Sequence, residues 1–352
     1  MVELLAKYWW FSMGVAKSIR GKEKQLYENI AKGLKKNVED VVYAFTKDAE
    51  NAVVEDHSPD IAIVVDHSSR EIVLTVCGTK MFPVPSVADV LMDLYADNVP
   101  FHHGVAHKGM ALACTNILKM VLDPLVDKLR ELSGYKLVIL GYSLGAGVAQ
   151  LLAIELTEGE SRSRLPAETQ VLCVTYGAPP VYRHNTPGFS LPNLISVYNH
   201  NDGLASLSLH TVTKLFLQIR AVNRLGLSRR RTLRLLRTRL GMSSDSGVRR
   251  HVSSNEERER EWEDIKTAVT AVDKTGFLPL HHIAGVTYLA KRGEEEYTVR
   301  VLQGTKADPL AGEVRLRGGM FNDHMPWGYA SLFKDRGGNT DSILSVDLLT
   351  YI

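Results

Sequence analysis

Apolar positions along the chain switch between two periods. Short runs of Val, Ile and Leu bounded by turn residues alternate with stretches in which apolar residues recur every three or four positions. "IAIVVDH" (61–67) and "EIVLTVCGT" (71–79) are split by a short polar turn and predict a β-hairpin. "KLVILGY" (136–142), "QVLCVTYGAP" (170–179) and "LISVYNHND" (194–202) are near-continuous apolar runs, which suit central parallel strands covered on both faces. Helical spacing is found around 87–96 and again from about 109 to 133. There Met110, Ile117, Val121, Leu125, Leu129 and Leu132 share a face, and Asp123-Pro124 predicts a kink or a restart. "HHIAGVTYLAKR" and "EEYTVRVLQG" read as another antiparallel pair. Strands alternating with helices in this way predict an α/β fold with a mostly parallel central sheet flanked by helices.

Two segments stand apart. At the start, Leu4, Leu5, Tyr8, Phe11, Val15 and Ile19 recur at spacings of three and four and predict an amphipathic helix. One reading packs this helix on its own domain; the other dips Trp9 and Trp10 into lipid. The second segment spans residues 204–263. Between Thr213 and Arg250 it carries eleven Lys or Arg against the single acid Asp245, a local charge of +10 that leaves −8 on the rest of the chain. Leu215, Ile219 and Val222 lie on one helical face, Leu233, Leu236 and Leu240 on another. The organisation expected is one domain over 1–352, with 204–263 a basic insert inside it, acting as a lid, a dock for anionic lipid, or both. A solvated loop is the plainer alternative.

Composition narrows the chemistry. The chain has 352 residues, 45% of them hydrophobic, and a net charge of +2, so no global field directs it to nucleic acid. The insert has no aromatic platform beside its arginines, which also argues against single-stranded nucleic acid. Cys77, Cys114 and Cys173 are too few and too scattered for a disulfide framework or a C-x-x-C metal site. They read as small buried hydrophobes of a reducing compartment. No stretch reaches the roughly 18 uninterrupted apolar residues of a transmembrane helix. The expected location is therefore cytoplasmic, with peripheral membrane association.

The chemistry concentrates in "KLVILGYSLGAGVAQLLAIEL". Gly141-x-Ser143-x-Gly145 sits where an apolar strand meets a helical pattern. A serine nucleophile must project from a tight strand-to-helix turn, and the positions two before and two after must be tiny. A helix N-terminus at Ser143 also aims backbone N–H groups at developing negative charge. Serine needs a base and the base an orienting acid. Asp202 closes the strand "LISVYNHND", and His324 follows the last strand pair in "FNDHMPWGY". Asp202 could instead cap the helix after it. His102, His103 and His107 precede the serine and lack the Cys or carboxylate neighbours of a metal site. His281 and His282 sit where a strand begins, and His251 lies in the basic insert. Thr79, after Gly78 at the end of "LTVCGT", and Leu144, after the serine, are the expected oxyanion-hole N–H donors.

The run from "VLTVCGTK" through "VAHKGM", "GYSLGAG", "VTYGAPPV" and "ISVYNHND" to "DHMPWGY" resembles the class 3 lipases. Within them it is similar to the sn-1-specific diacylglycerol lipases, which share a long insert between acid and histidine. The resemblance implies an α/β-hydrolase fold and a Ser143-Asp202-His324 triad. It also implies release of fatty acid from the sn-1 ester of diacylglycerol without metal or cofactor. The expected partners are a glycerolipid substrate and an anionic membrane surface, with no obligate protein partner. A phospholipase A1 or general carboxylesterase is the alternative, and a non-catalytic lipid-binding module a more distant one. His107 and Gly109 match the family's "HKG", taken as structural. Cys77 departs from an arginine usual in the family. The membrane-spanning helices of the animal enzymes have no counterpart in the sequence, so a free-standing catalytic domain is expected.

Overall fold

The computed structural model describes residues 1–19, 21–46, 59–78, 97–228, 230–233, 235, 255–272, 274–293, 297–304, 314, 319–333 and 344–346. The chain divides into two compact units, residues 1–209 with 279–352, and residues 210–278. The second spans most of the stretch whose composition marks the insert.

In the first unit nine strands form one sheet. In chain order they are β1 (Val41–Phe45), β2 (Ile61–Asp66), β3 (Glu71–Val76), β6 (Lys136–Tyr142), β7 (Val171–Tyr176), β9 (Leu191–Asn199), β10 (Ala284–Arg292), β11 (Tyr297–Gln303) and β12 (Leu344–Val346), which is also their order across the sheet. β3, β6, β7, β9 and β10 run parallel, while the β2–β3 hairpin and the β10–β11 pair are antiparallel. Three short strands, β4 (Asn98–Phe101), β5 (Gly104–His107) and β8 (Tyr182–His184), make a separate antiparallel sheet.

Period-two alternation explains why both faces are apolar. Ile63, Ile72, Leu74, Leu137 and Ile139 belong to one buried cluster, together with helices α3 (Lys108–Glu131) and α4 (Leu144–Thr157). Their neighbours Val64, Val73, Val138, Leu140 and Val174 belong to a second, with α1 (Val2–Ser18) and α2 (Glu23–Leu34). This is the three-layer arrangement that the sequence pattern predicts. α3 continues through Pro124 without a break. By length and composition it could cross a membrane, yet half of its apolar window is buried in this unit. The helical pattern around 87–96 lies outside the described residues.

α1 packs on the sheet, as the first reading holds: Leu5, Tyr8, Trp9 and Val15 are buried. Trp9 is fully enclosed while its neighbour Trp10 is 44% exposed, so the two tryptophans do not act as one lipid anchor. The helix is tied down by a charged knot at the β2–β3 turn. Lys7 Nζ reaches Glu71 at 2.8 Å and Asp66 at 3.0 Å, Lys36 Nζ reaches Asp66 at 2.6 Å, and Tyr8 donates to Glu71 at 2.8 Å. Both carboxylates are buried. Burial alone would raise the Asp66 pKa, but hydrogen bonds from Lys36, Ser68, Ser69 and Lys7 outweigh it and hold the group well below the usual carboxylate range.

A carboxylate whose pKa is depressed by folding stabilises fully above its unfolded value and loses that contribution as pH falls. Asp66→Asn leaves two ammonium groups without their shared carboxylate, and should cost about 3 kcal/mol near neutral pH. Denaturant unfolding at a series of pH values checks this. The gap between wild type and variant should narrow progressively below pH about 4.

Candidate active site

The site is built where the C-terminal ends of β3, β6, β7 and β9 meet the segments that follow them. β6 delivers Ser143 on a turn so tight that its φ is +59° and ψ −130°, a conformation that a side-chain-bearing residue adopts only under constraint. The constraint is visible on either side. A Cβ on Gly141 would lie 2.5 Å from the Gly145 carbonyl oxygen, and one on Gly145 2.5 Å from the carbonyl oxygens of Val76 and Cys77. The end of β3 is thereby pressed against the first turn of α4, with Val76 paired to Gly141. Cys77 is buried there and donates its N–H to the Asp60 carbonyl at 2.9 Å.

Asp202 follows β9 and does two things at once. Its Oδ1 caps a single 3-10 turn (Gly203–Ser206) by accepting from Leu204 N at 2.9 Å. Both carboxylate oxygens also face His324 Nδ1, at 3.0 and 2.9 Å. His324 closes the short helix α7 (Met320–His324), just before α8 (Pro326–Leu332). Two bonds from the β9 end hold α7 in place, across 124 and 122 positions of sequence. Asn199 Nδ2 donates to the Asp323 carbonyl at 2.8 Å, and Asn201 N to the Asp323 carboxylate at 3.2 Å. His324 Nε2 then meets Ser143 Oγ at 2.8 Å. All three side chains are buried. With Nδ1 donating to Asp202, Nε2 is free to accept the serine proton, the arrangement of a nucleophile with its base and orienting acid.

The structure therefore brings Ser143, Asp202 and His324 together, with Leu144 N–H in the first turn of α4, where leading amides have no intrahelical acceptor. Gly78 lies against the turn: a Cβ there would come 3.1 Å from Ser143 Cβ. The next residue, Thr79, expected as the second donor, lies outside the described residues, as does His251.

The other histidines are occupied separately. His102 pairs with Glu155, the His103 ring meets His184 edge-on, and His107 caps α3 by accepting from Met110 N at 3.3 Å. His282 is buried beside the Asp202 loop. Its Nε2 lies 2.7 Å from the Ala205 carbonyl and its Nδ1 2.8 Å from the Tyr198 hydroxyl. Burial above all, with a smaller push from His281, lowers its pKa to about 4, despite the raising effects of the Ala205 carbonyl and Asp202.

Three features escape a reading of the sequence. Gly177, at φ +61°, follows β7 so closely behind the site that a Cβ would lie 2.7 Å from Asp202 Oδ2. The Tyr142 ring stacks on the His324 imidazole, centroids 5.3 Å apart, and its hydroxyl donates to the His324 carbonyl. Tyr329 donates to Asp202 Oδ2 at 2.6 Å. An aromatic next to a motif was the only signal available for these tyrosines, and burial explains such residues equally well.

A mostly parallel sheet flanked by helices, with serine at a strand-to-helix turn and an acid and then a histidine after later strands, is the arrangement of the α/β-hydrolase fold. Residues 73–211 match the family Lipase (class 3), so this segment is similar to the class 3 lipases. It is 39% identical over 102 residues to diacylglycerol lipase-beta of Mus musculus, covering 27% of this chain and 14% of that protein. It is 29% identical over 149 residues to diacylglycerol lipase-alpha of Homo sapiens, covering 40% and 13% respectively. The chain thus spans about one-seventh of the length of these relatives. Among solved structures, a lipase from Rhizopus microsporus var. chinensis is similar with a TM-score of 0.44 and 17% identity, over 58% of this chain and 67% of that one.

Because the unfolded chain binds a proton that folded His282 refuses, stability should rise with pH between about 4 and the ordinary histidine value of 6.5. The total gain is on the order of 3 kcal/mol. In His282→Gln that portion of the stability curve should flatten. An unaltered slope would locate the titration elsewhere.

Proposed function

We propose that the chain hydrolyses acylglycerol esters, releasing the fatty acid from the sn-1 position of diacylglycerol. The observation that carries this is the continuous relay from Ser143 Oγ through His324 to Asp202, at 2.8 Å and 2.9–3.0 Å, on a constrained turn. Ser143 attacks the ester carbonyl while His324 Nε2 takes its proton. Asp202 holds the imidazole in the required tautomer and stabilises the imidazolium that forms. The oxyanion is held by the Leu144 N–H and by Thr79; losing one such donor costs about 2.7–4 kcal/mol. His324 returns the proton to the departing glyceride oxygen, and water, activated in the same way, clears the acyl group from Ser143. The preference for diacylglycerol over a phospholipid rests on the resemblance to diacylglycerol lipases over part of the chain.

An anionic membrane surface is the partner proposed for residues 210–278. Helix α5 (Leu209–Arg224) carries Lys214, Arg220 and Arg224 together with exposed Phe216 and Ile219. Basic residues near an anionic surface contribute about 1 kcal/mol each, and apolar side chains add burial in the interface. Arg231 is engaged within the unit by Glu257 and Glu261, at 2.5 and 2.6 Å. Arg229, Arg234, Arg237, Arg239, Arg249 and Arg250 lie outside the described residues.

Ser143→Ala should abolish turnover of a short acyl ester and labelling by a fluorophosphonate, with thermal unfolding nearly unchanged. Wild type offered a panel of defined glycerolipids should release fatty acid chiefly from the sn-1 ester of diacylglycerol. Release mainly from phospholipid would favour the phospholipase A1 reading.

Co-sedimentation with liposomes should depend on anionic lipid and weaken with salt. Replacing Lys214, Arg220 and Arg224 with glutamine should reduce binding at least tenfold. Binding indifferent to both would remove this partner.

A further inference from the structure

Behind the candidate triad stand three tyrosines, each joined to a different member. The Tyr176 carbonyl accepts from Ser143 N at 2.9 Å, the Tyr142 ring stacks on the His324 imidazole, and the Tyr329 hydroxyl donates to Asp202 Oδ2 at 2.6 Å. All three rings meet at Trp9 of α1. Its indole lies edge-on to Tyr142 at 5.5 Å and to Tyr176 at 5.1 Å, and stacks on Tyr329 at 5.3 Å and 28°. Trp9 is fully buried, and its Nε1 has no hydrogen-bond partner among the described residues. Its contribution is therefore shape and ring contact, not hydrogen bonding. Trp9 and Tyr329 both lie outside the segment matched to the lipase family.

We propose that Tyr329 is a positioning residue for Asp202, and that Trp9 holds it there, so that helix α1 sets the geometry of the triad. This rests on the reading of Ser143, Asp202 and His324 as the hydrolytic relay. The argument is one of degrees of freedom. A carboxylate beside an imidazole can rotate about its own axis unless each oxygen is pinned. Leu204 N pins Oδ1 at 2.9 Å, and the Tyr329 hydroxyl pins Oδ2. That hydroxyl also accepts from Asn199 N at 3.2 Å, which polarises the O–H toward Asp202. The Val197 carbonyl at 3.3 Å is the competing acceptor, farther away and uncharged. The ring is fixed in turn, stacked on Trp9 and edge-on to Tyr142 and Tyr176. α1 is itself secured to this wall by the Tyr176 hydroxyl, which donates to the Leu5 carbonyl at 2.5 Å.

The test uses the whole protein and a soluble ester. Tyr329→Phe keeps the ring and removes only the hydroxyl. It should lower kcat roughly 10–100-fold, as expected for a lost hydrogen bond to a charged group, with KM unchanged. The acid limb of its kcat/KM profile should move to higher pH, because a carboxylate short of one donor directs more of its charge at the imidazole. Trp9→Leu should displace the same limb in the same direction, Trp9→Phe should restore most of the loss, and the Tyr329→Phe/Trp9→Leu double variant should be little worse than Tyr329→Phe alone. Wild-type kcat and pH profile in Tyr329→Phe, with Ser143→Ala inactive, would overturn the positioning role while leaving the hydrolytic reading in place. Costs that multiply in the double variant, or a Trp9→Leu variant that loses only thermal stability, would overturn the role of α1. Turnover by Ser143→Ala would instead remove the hydrolytic reading on which the proposal rests.

Discussion

The site depends first on how closely β3 approaches the first turn of α4. With the Val76 and Cys77 carbonyls against Gly145, and Gly141 against Gly145 and Ala146, the chain can leave β6 only through a left-handed residue. That residue is Ser143. The strain at one serine is sustained by the sheet and by two apolar layers, which over-determine the turn. A methyl group at either flanking glycine would need backbone to move, not merely a side chain.

Given that turn, the other two groups arrive by different means. Asp202 is placed by local chemistry, since capping the 3-10 turn after β9 fixes its carboxylate where the sheet ends. His324 comes from far along the chain and is placed by contacts of α7 with the β9 end through Asn199, Asn201 and Asp323. The capping and orienting readings of Asp202 are thus complementary, because its two oxygens have enough acceptor capacity for both. Electrostatics then acts among buried side chains held by packing, and the Trp9 wall belongs to that packing.

Much of this was legible along the chain because it follows local rules. The glycine spacing around Ser143, the parallel apolar runs and the acid at the end of β9 each need only a short window of sequence. What depended on long-range contact was hidden. Tyr329 meets Asp202 across 127 positions and Trp9 meets Tyr329 across a still greater separation, and nothing in "YWWFS" distinguishes a buried Trp9 from an exposed Trp10. Helical periodicity could define the apolar face of α1 but not what covered it. The charged knot was invisible for the same reason, since Lys7 pairs with Glu71 only after α1 docks. Thr79 stays an expectation drawn from sequence alone.

The most direct measurement is the mass of the enzyme caught in mid-reaction. Brief exposure to an activated acyl ester, acid quenching and peptide mass mapping should place one acyl group on the peptide containing Ser143. Its accumulation should be lost in His324→Ala, where the serine has no base. An acyl group found on any other residue, or product released with Ser143 absent from the chain, would contradict the account.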